Sequence, residues 1–242
     1  MNFENVSELN KPQKKRIEIL DALRGSAVIF MVYYHLVYDM VHFLDAPAKI
    51  FSNDVMDFLQ KFFACVFVLL CGVASNFSRS NIKRGFETLG IAIGITVVTA
   101  LFDMPIIFGV LHLLSFCMLF YGAFHKLFMK IPKTLLLIAG VAGAVVSKYC
   151  VDNIAVDSEH LWILGWASES FVSYDYFPLF PWFFVFLAGV GAGYYIKDTR
   201  LPAWFYKAKV PVLSFVGRHS LGIYIIHQPV LMGITMLLRS FK

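Results

Sequence analysis

The stretch GSAVIFMVYYHLVYDMVHFL, residues 25–44, decides the fold class. A helix rises about 1.5 Å per residue, so these residues reach about 30 Å, the hydrocarbon thickness of a bilayer. Six further apolar stretches follow, at about 59–76, 86–102, 106–125, 133–150, 179–196 and 211–237. Asp103-Met104-Pro105 is expected to form a tight hairpin between the third and fourth, with the proline opening the next helix. The composition agrees: 59% of residues are hydrophobic and 15% charged. A soluble domain is about 45–50% apolar and ~25% charged. The expectation is an all-α, polytopic membrane bundle of about seven transmembrane helices.

The loops give an orientation. Most of the 21 Lys and Arg fall on alternate sides of these stretches, before the first and after the second, fourth and sixth. Lys49, Lys61, Lys148, Arg239 and Lys242 fall on the other side. Cytoplasmic loops hold the basic residues, so the N-terminus is expected in the cytoplasm and the C-terminus outside. The net charge of +5 is then mostly topology, and no basic patch with interleaved aromatics points to nucleic acid. Residues 1–16 read as a polar cytoplasmic tail with no cleavable leader, and 17–242 as one transmembrane domain. Cys65, Cys71, Cys117 and Cys150 lack metal or redox spacing, so no metal is expected. Asn76-Phe77-Ser78 matches a glycosylation pattern by chance, at a cytoplasmic helix end. The outer loop 151–178 is long and rich in acids and aromatics, among them Asp152, Asp157, Glu159, Trp162, Trp166 and Asp175. It reads as a mouth for a sugar or an amine, or as an interfacial belt with solvated acids.

Ionisable groups inside a bilayer are costly and mark function by default. Arg24 and His35 lie 11 residues apart in sequence, about three helical turns, which sets them on one stripe. Asp39 is one turn beyond His35, and Asp21 one turn before Arg24. One helix face therefore carries an Asp/Arg pair at the inner edge and a His/Asp pair about 16 Å deeper. Arg24 suits a phosphate, His35 suits proton exchange near neutral pH, and Asp39 is expected to hydrogen-bond and orient His35. His112 and His227 should lie at comparable depth on other helices, which points to a shared cavity. Pro229, after Gln228, should kink the last helix. Arg218 opens the last helix in this reading, and Lys83 and Arg84 form a further phosphate-binding cluster with Arg79. Asp175 should face the outer mouth, and Pro178 and Pro181 fix the approach to Trp182.

The run Ile19-Leu20-Asp21-Ala22-Leu23-Arg24-Gly25, with His35 and Tyr38-Asp39 downstream, resembles the opening signature of the heparan-α-glucosaminide N-acetyltransferase catalytic-domain family. Phe108-Gly109-Val110-Leu111-His112 is similar to a second signature, and the stretch from Tyr174 to Trp182 to a third. Gly217-Arg218-His219-Ser220-Leu221 through His227-Gln228-Pro229 is similar to a fourth. The compact length looks like the small bacterial branch. His35 stands where eukaryotic members carry an asparagine, and their histidine farther along has no aligned match here, although His42 is near. The resemblance implies an acyltransferase of a bacterial cytoplasmic (inner) membrane, with acetyl-CoA as co-substrate and a glucosamine-like amino sugar outside as acceptor. It also implies a possible homodimer.

From the residues and this resemblance together, His35 and Asp39 are expected to be catalytic. Arg24, Arg218, Arg84 and Lys83 are expected to bind the CoA phosphates. Asp175, Trp182, His112, His227 and Gln228 are expected to line the acceptor site, with His112 or His227 donating to the thioester oxyanion. The rival readings are a multi-pass transporter with a His/Asp proton relay, and a structural or sensory membrane protein. Transporters tend to show internal repeats, and none is evident here.

Overall fold

The computed structural model describes residues 16–156 and 160–241, and every regular element among them is helical. The polar tail before Arg16, and Asp157 and Glu159 of the long loop, lie outside the described residues. In chain order the helices are α1 (Glu18–Phe43), α2 (Asp54–Ser75), α3 (Asn81–Ala100), α4 (Val110–Ala123) and α5 (His125–Phe128). There follow α6 (Lys133–Asn153), α7 (Leu179–Lys197), α8 (Ala203–Lys207), α9 (Pro211–Arg218) and α10 (Ser220–Arg239). Helices α1, α2, α6, α7 and α10 are long and apolar enough to cross a membrane.

Local signals explain the ends. Asn53 caps α2 by accepting from the Met56 N–H at 2.9 Å, and Ser80 caps α3 through the Lys83 N–H. Glu18 and Asp21 in the first turn of α1, and Asp54 and Asp57 in that of α2, suit the positive ends of those helices.

Two connections differ from the sequence reading. The hairpin between α3 and α4 spans residues 101–109, and Pro105 does not open a helix. The Pro105 and Phe108 carbonyls accept from the Tyr174 and Phe177 N–H groups, which ties this connection to the 151–178 loop, and α4 starts only at Val110. The last apolar stretch is also divided. It breaks at His219, and Arg218 ends α9 instead of opening α10. Helix α10 then runs through Pro229 as one element.

The core lies where α4 and α7 meet α2 and α6, around Val68, Leu113, Cys117, Tyr121, Phe186 and Val190. With little hydrophobic drive between helices in lipid, close backbone approach holds them together. A Cβ on Gly189 would stand 2.0 Å from the Leu69 carbonyl oxygen, and one on Gly217 1.8 Å from that of Asp21. The first contact joins α7 to α2, and the second joins α9 to α1. Asn76 is buried against α7 and donates to the Val190 carbonyl at 3.0 Å. It is therefore a packing residue, in line with chance as the origin of its glycosylation pattern. Outward faces carry large apolar side chains such as Val97, Leu101, Val145 and Val212.

Candidate functional site

The N-terminal end of α1 is an ion cluster. Asp21 is 5% exposed and sits between two guanidinium groups. Arg24 Nη1 donates to Oδ1 at 3.1 Å, and Arg16 Nε lies 2.8 Å from Oδ2. Arg16 and Arg24 rim a cavity of about 280 Å³ whose wall is Leu70, Val73 and Ala74 of α2 and Phe77 just beyond it. A second cavity, about 250 Å³, shares Arg16 and is lined by Glu18, Tyr206, Lys207 and Lys209, so its cations outnumber its one acid. Cationic rims beside an apolar groove suit a ligand with phosphates and a hydrocarbon arm. Of the four residues expected to hold phosphates, Arg24 lines this region. Lys83 is exposed and pairs with Glu87 at 3.8 Å, Arg84 is half-buried on α3, and Arg218 is exposed at the end of α9.

Arg16, Lys207 and Lys209, which line these cavities, read in the sequence only as topology. The signal available was a Lys-x-Lys pair set between Pro202 and Pro211, too short a segment to cross a bilayer.

The second cluster joins α1 and α10. The rings of His35 and His227 meet edge to face, centroids 4.9 Å apart. His35 Nδ1 faces the Met31 carbonyl at 2.9 Å, and His227 Nδ1 faces the Tyr224 carbonyl at 2.6 Å. A carbonyl oxygen only accepts, so each Nδ1 carries the proton and each Nε2 keeps its lone pair. Asp39 is fully buried, and its Oδ1 accepts from Gln228 Nε2 at 3.0 Å. The expected bond from Asp39 to His35 is therefore not made. His35 turns back onto its own helix, and the carboxylate turns to α10.

Asp175 ties the outer loop to this cluster. Its Oδ2 accepts the Val110 N–H at 3.1 Å and the Tyr224 hydroxyl at 2.9 Å. It thus holds the first turn of α4 and the second turn of α10 together, one turn from His227. Burial pushes its carboxyl up from the ordinary range, and the two hydrogen bonds and the nearby His35 and His112 pull it back. Tyr224 was missed, although its three-residue spacing from His227 places both on one face.

His112 stands on the first turn of α4 with Nε2 3.3 Å from Thr96 Oγ1. That hydroxyl already donates to the Ile106 carbonyl, so it accepts from His112 Nε2–H and leaves Nδ1 bare. Neither His112 nor His227, in its neutral form, offers an N–H for the oxyanion donation expected from the sequence. Trp182 is half-buried against Phe177, ring centroids 5.2 Å apart.

Among the described residues of the 151–178 loop, aromatic side chains pack on one another. Trp162 stacks on Phe171 at 5.2 Å, Tyr176 donates to the Trp162 carbonyl, and Trp166 donates to the Ile154 carbonyl. Burial pushes the Tyr176 hydroxyl up to about 12. The cysteines are free thiols, and no group of His, Cys, Asp and Glu among the described residues could hold a metal ion.

The family described as "Heparan-alpha-glucosaminide N-acetyltransferase, catalytic" matches residues 16–229, from the inner arginine cluster to the proline after Gln228. The chain belongs to that family. All four signatures noted in the sequence lie within the match. Neither a curated protein nor a solved structure matches the chain. Family and apolar helices together make this a membrane protein of an acyltransferase family.

Proposed function

We propose that the protein transfers the acetyl group of cytoplasmic acetyl-CoA to the amine of a glucosamine-like sugar on the far side of a bacterial inner membrane. The observation that carries this reading, within an N-acetyltransferase family, is the contact between His35 and His227, each with a bare Nε2, on the helix whose inner end bears the arginine cluster. In this reading seven helical passes put the N-terminus inside and the C-terminus outside, and residues 17–242 act as one catalytic domain.

The CoA phosphates bind Arg24 and Arg16, with Lys207 and Lys209 beside them and Lys83, Arg84 and Arg218 on the same inner side. The hydrocarbon arm follows the apolar groove between α1 and α2 toward His35. His35 is the base. Its Nε2 takes a proton from the acceptor nitrogen, whose lone pair forms a bond to the thioester carbonyl carbon. The C–S bond then breaks, and the CoA thiolate leaves and takes up the proton from the imidazolium. General-base help of this kind contributes about 10²–10⁴-fold. His227 shares the cavity, and His112, Trp182 and Asp175 shape its outer side. The His35–Asp39 bond expected to orient the base is not made, so Asp39 takes no part in this step.

The test is transfer of labelled acetyl from acetyl-CoA to glucosamine by the purified protein, beside a His35→Ala variant with an unchanged melting temperature. The expected result is transfer by the wild type and a loss of about 10²-fold or more in the variant. Equal transfer by both would move the base to His227. No transfer by either would overturn the assignment of this acceptor.

A further inference from the structure

We infer that Asp39, together with Gln228 and His227, is the ammonium-recognising element of the acceptor site, and not the group that orients the base. This rests on the reading above for the identity of the site, and extends it to how the acceptor is selected. Asp39 is fully buried, yet only one of its oxygens has a hydrogen-bond partner. Its Oδ2 has none, and neither have Gln228 Oε1 and His227 Nε2, all buried atoms at the same α1–α10 contact. Buried polar atoms are nearly always paired, so three orphans at one contact call for a missing partner.

The three orphans share one chemistry. Asp39 Oδ2 is a carboxylate oxygen, Gln228 Oε1 an amide oxygen, and His227 Nε2 a bare lone pair because its Nδ1 bears the proton. All accept and none donates. The partner that fits is a group with several N–H or O–H donors and no need to accept. Charge narrows this further. Among the described residues no lysine or arginine forms an ion pair with Asp39; its one hydrogen-bond partner is a neutral amide, and His35 and His42 nearby compensate it only when they are protonated. A hydroxyl or a water would fill lone pairs but leave the buried carboxylate uncompensated, which is costly. An alkylammonium supplies three donors and the compensating charge. The base stands beside it: the His35 ring touches that of His227, and His35 is one turn from Asp39 on α1. The ammonium is thus held where His35 can take the proton that frees its lone pair and pass it to solvent, before the proton lost on acylation goes by the same imidazole to the departing thiolate.

The experiment compares glucosamine with glucose, which differs by a hydroxyl in place of the ammonium, as ligands of the whole protein by calorimetry without acetyl-CoA. The wild type is expected to bind glucosamine at least tenfold more tightly. Asp39→Asn should remove that preference, and in the transfer assay it should raise KM for glucosamine more than it lowers kcat. Equal binding of the two sugars by the wild type, or binding of neither, overturns the inference; a protonated Asp39 would give the first. A loss in kcat at unchanged KM also overturns it, because that is the signature of a residue acting through His35. If Asp39→Asn does not fold, Gln228→Met removes one of the three acceptors and should reduce the preference for glucosamine; an unchanged preference overturns the inference. Selective binding without acetyl transfer leaves recognition standing and removes the enzyme reading. Transfer without selectivity does the reverse.

Discussion

Asp21 and Asp39 are the same residue on the same helix, both buried, and their surroundings are opposite. Asp21 lies between Arg16 and Arg24 and is backed by the close approach of Gly217 to its carbonyl. Its charge is compensated within the protein. Asp39 meets one neutral amide and keeps an unpaired oxygen. Burial of a carboxylate is tolerable when a cation shares it and expensive otherwise. The first aspartate therefore belongs to the architecture of the inner end, and the second has its demand left for a ligand. Exposure alone does not separate them; the partners do.

That contrast is open to direct attack. The largest effect should come from the base beside the second aspartate: His35→Ala is expected to lower kcat by about 10²–10⁴-fold in the labelled-acetyl assay. Arg24→Gln should follow, raising KM for acetyl-CoA about tenfold, as expected for one charge-assisted contact of about 1.5–3 kcal/mol, with KM for the sugar unmoved. Asp21→Asn and Asp39→Asn then divide the two roles by melting temperature in detergent. Asp21→Asn should destabilise by about 1–3 kcal/mol, because two guanidinium groups lose their shared acceptor. Asp39→Asn should hold or raise the melting temperature, because it removes a buried, uncompensated charge. A destabilised Asp39→Asn would break the comparison.

Asp175 supplies a pH arm. Its folded-state carboxyl is raised by burial, so its contribution is fully present below the ordinary carboxylate range and is lost as pH rises through the raised value. Stability should fall with rising pH across that window, and Asp175→Asn should flatten the fall. The smallest effect is expected at Asp198. Its hydrogen bond from Lys133 holds its carboxyl below the usual range, so that contribution is present at neutral pH and lost only in acid. The pair is exposed, and Asp198→Asn should leave the melting temperature at neutral pH within error.

Much of the site could be read from spacing within one helix. Arg24, His35 and Asp39 were brought to one stripe by counting residues, and α1 does run unbroken from Glu18 to Phe43. What failed was anything that depended on a second helix. Asp39 was assigned to its neighbour one turn away, but Gln228, 189 residues on, takes it. Pro105 was expected to open a helix, but its carbonyl and that of Phe108 are taken by the Tyr174 and Phe177 N–H groups of a distant loop. Arg218 was placed at the start of a helix because a continuous apolar run gives no sign of the break at His219. Lys207 and Lys209 were counted as loop charge because their neighbour across the inner end, Arg16, is nearly 200 residues away in the chain.

The sequence by itself determined that the chain is helical and apolar enough to cross a membrane, that ionisable groups are concentrated in its first helix, and which family it joins. These follow from composition, from local spacing and from short motifs, all of which are properties of neighbours in the chain. The tertiary structure decided which acceptor faces which donor. That depends on side chains from distant helices competing for the same lone pairs, and a buried group takes the partner that packing brings within about 3 Å, whatever its place in the chain.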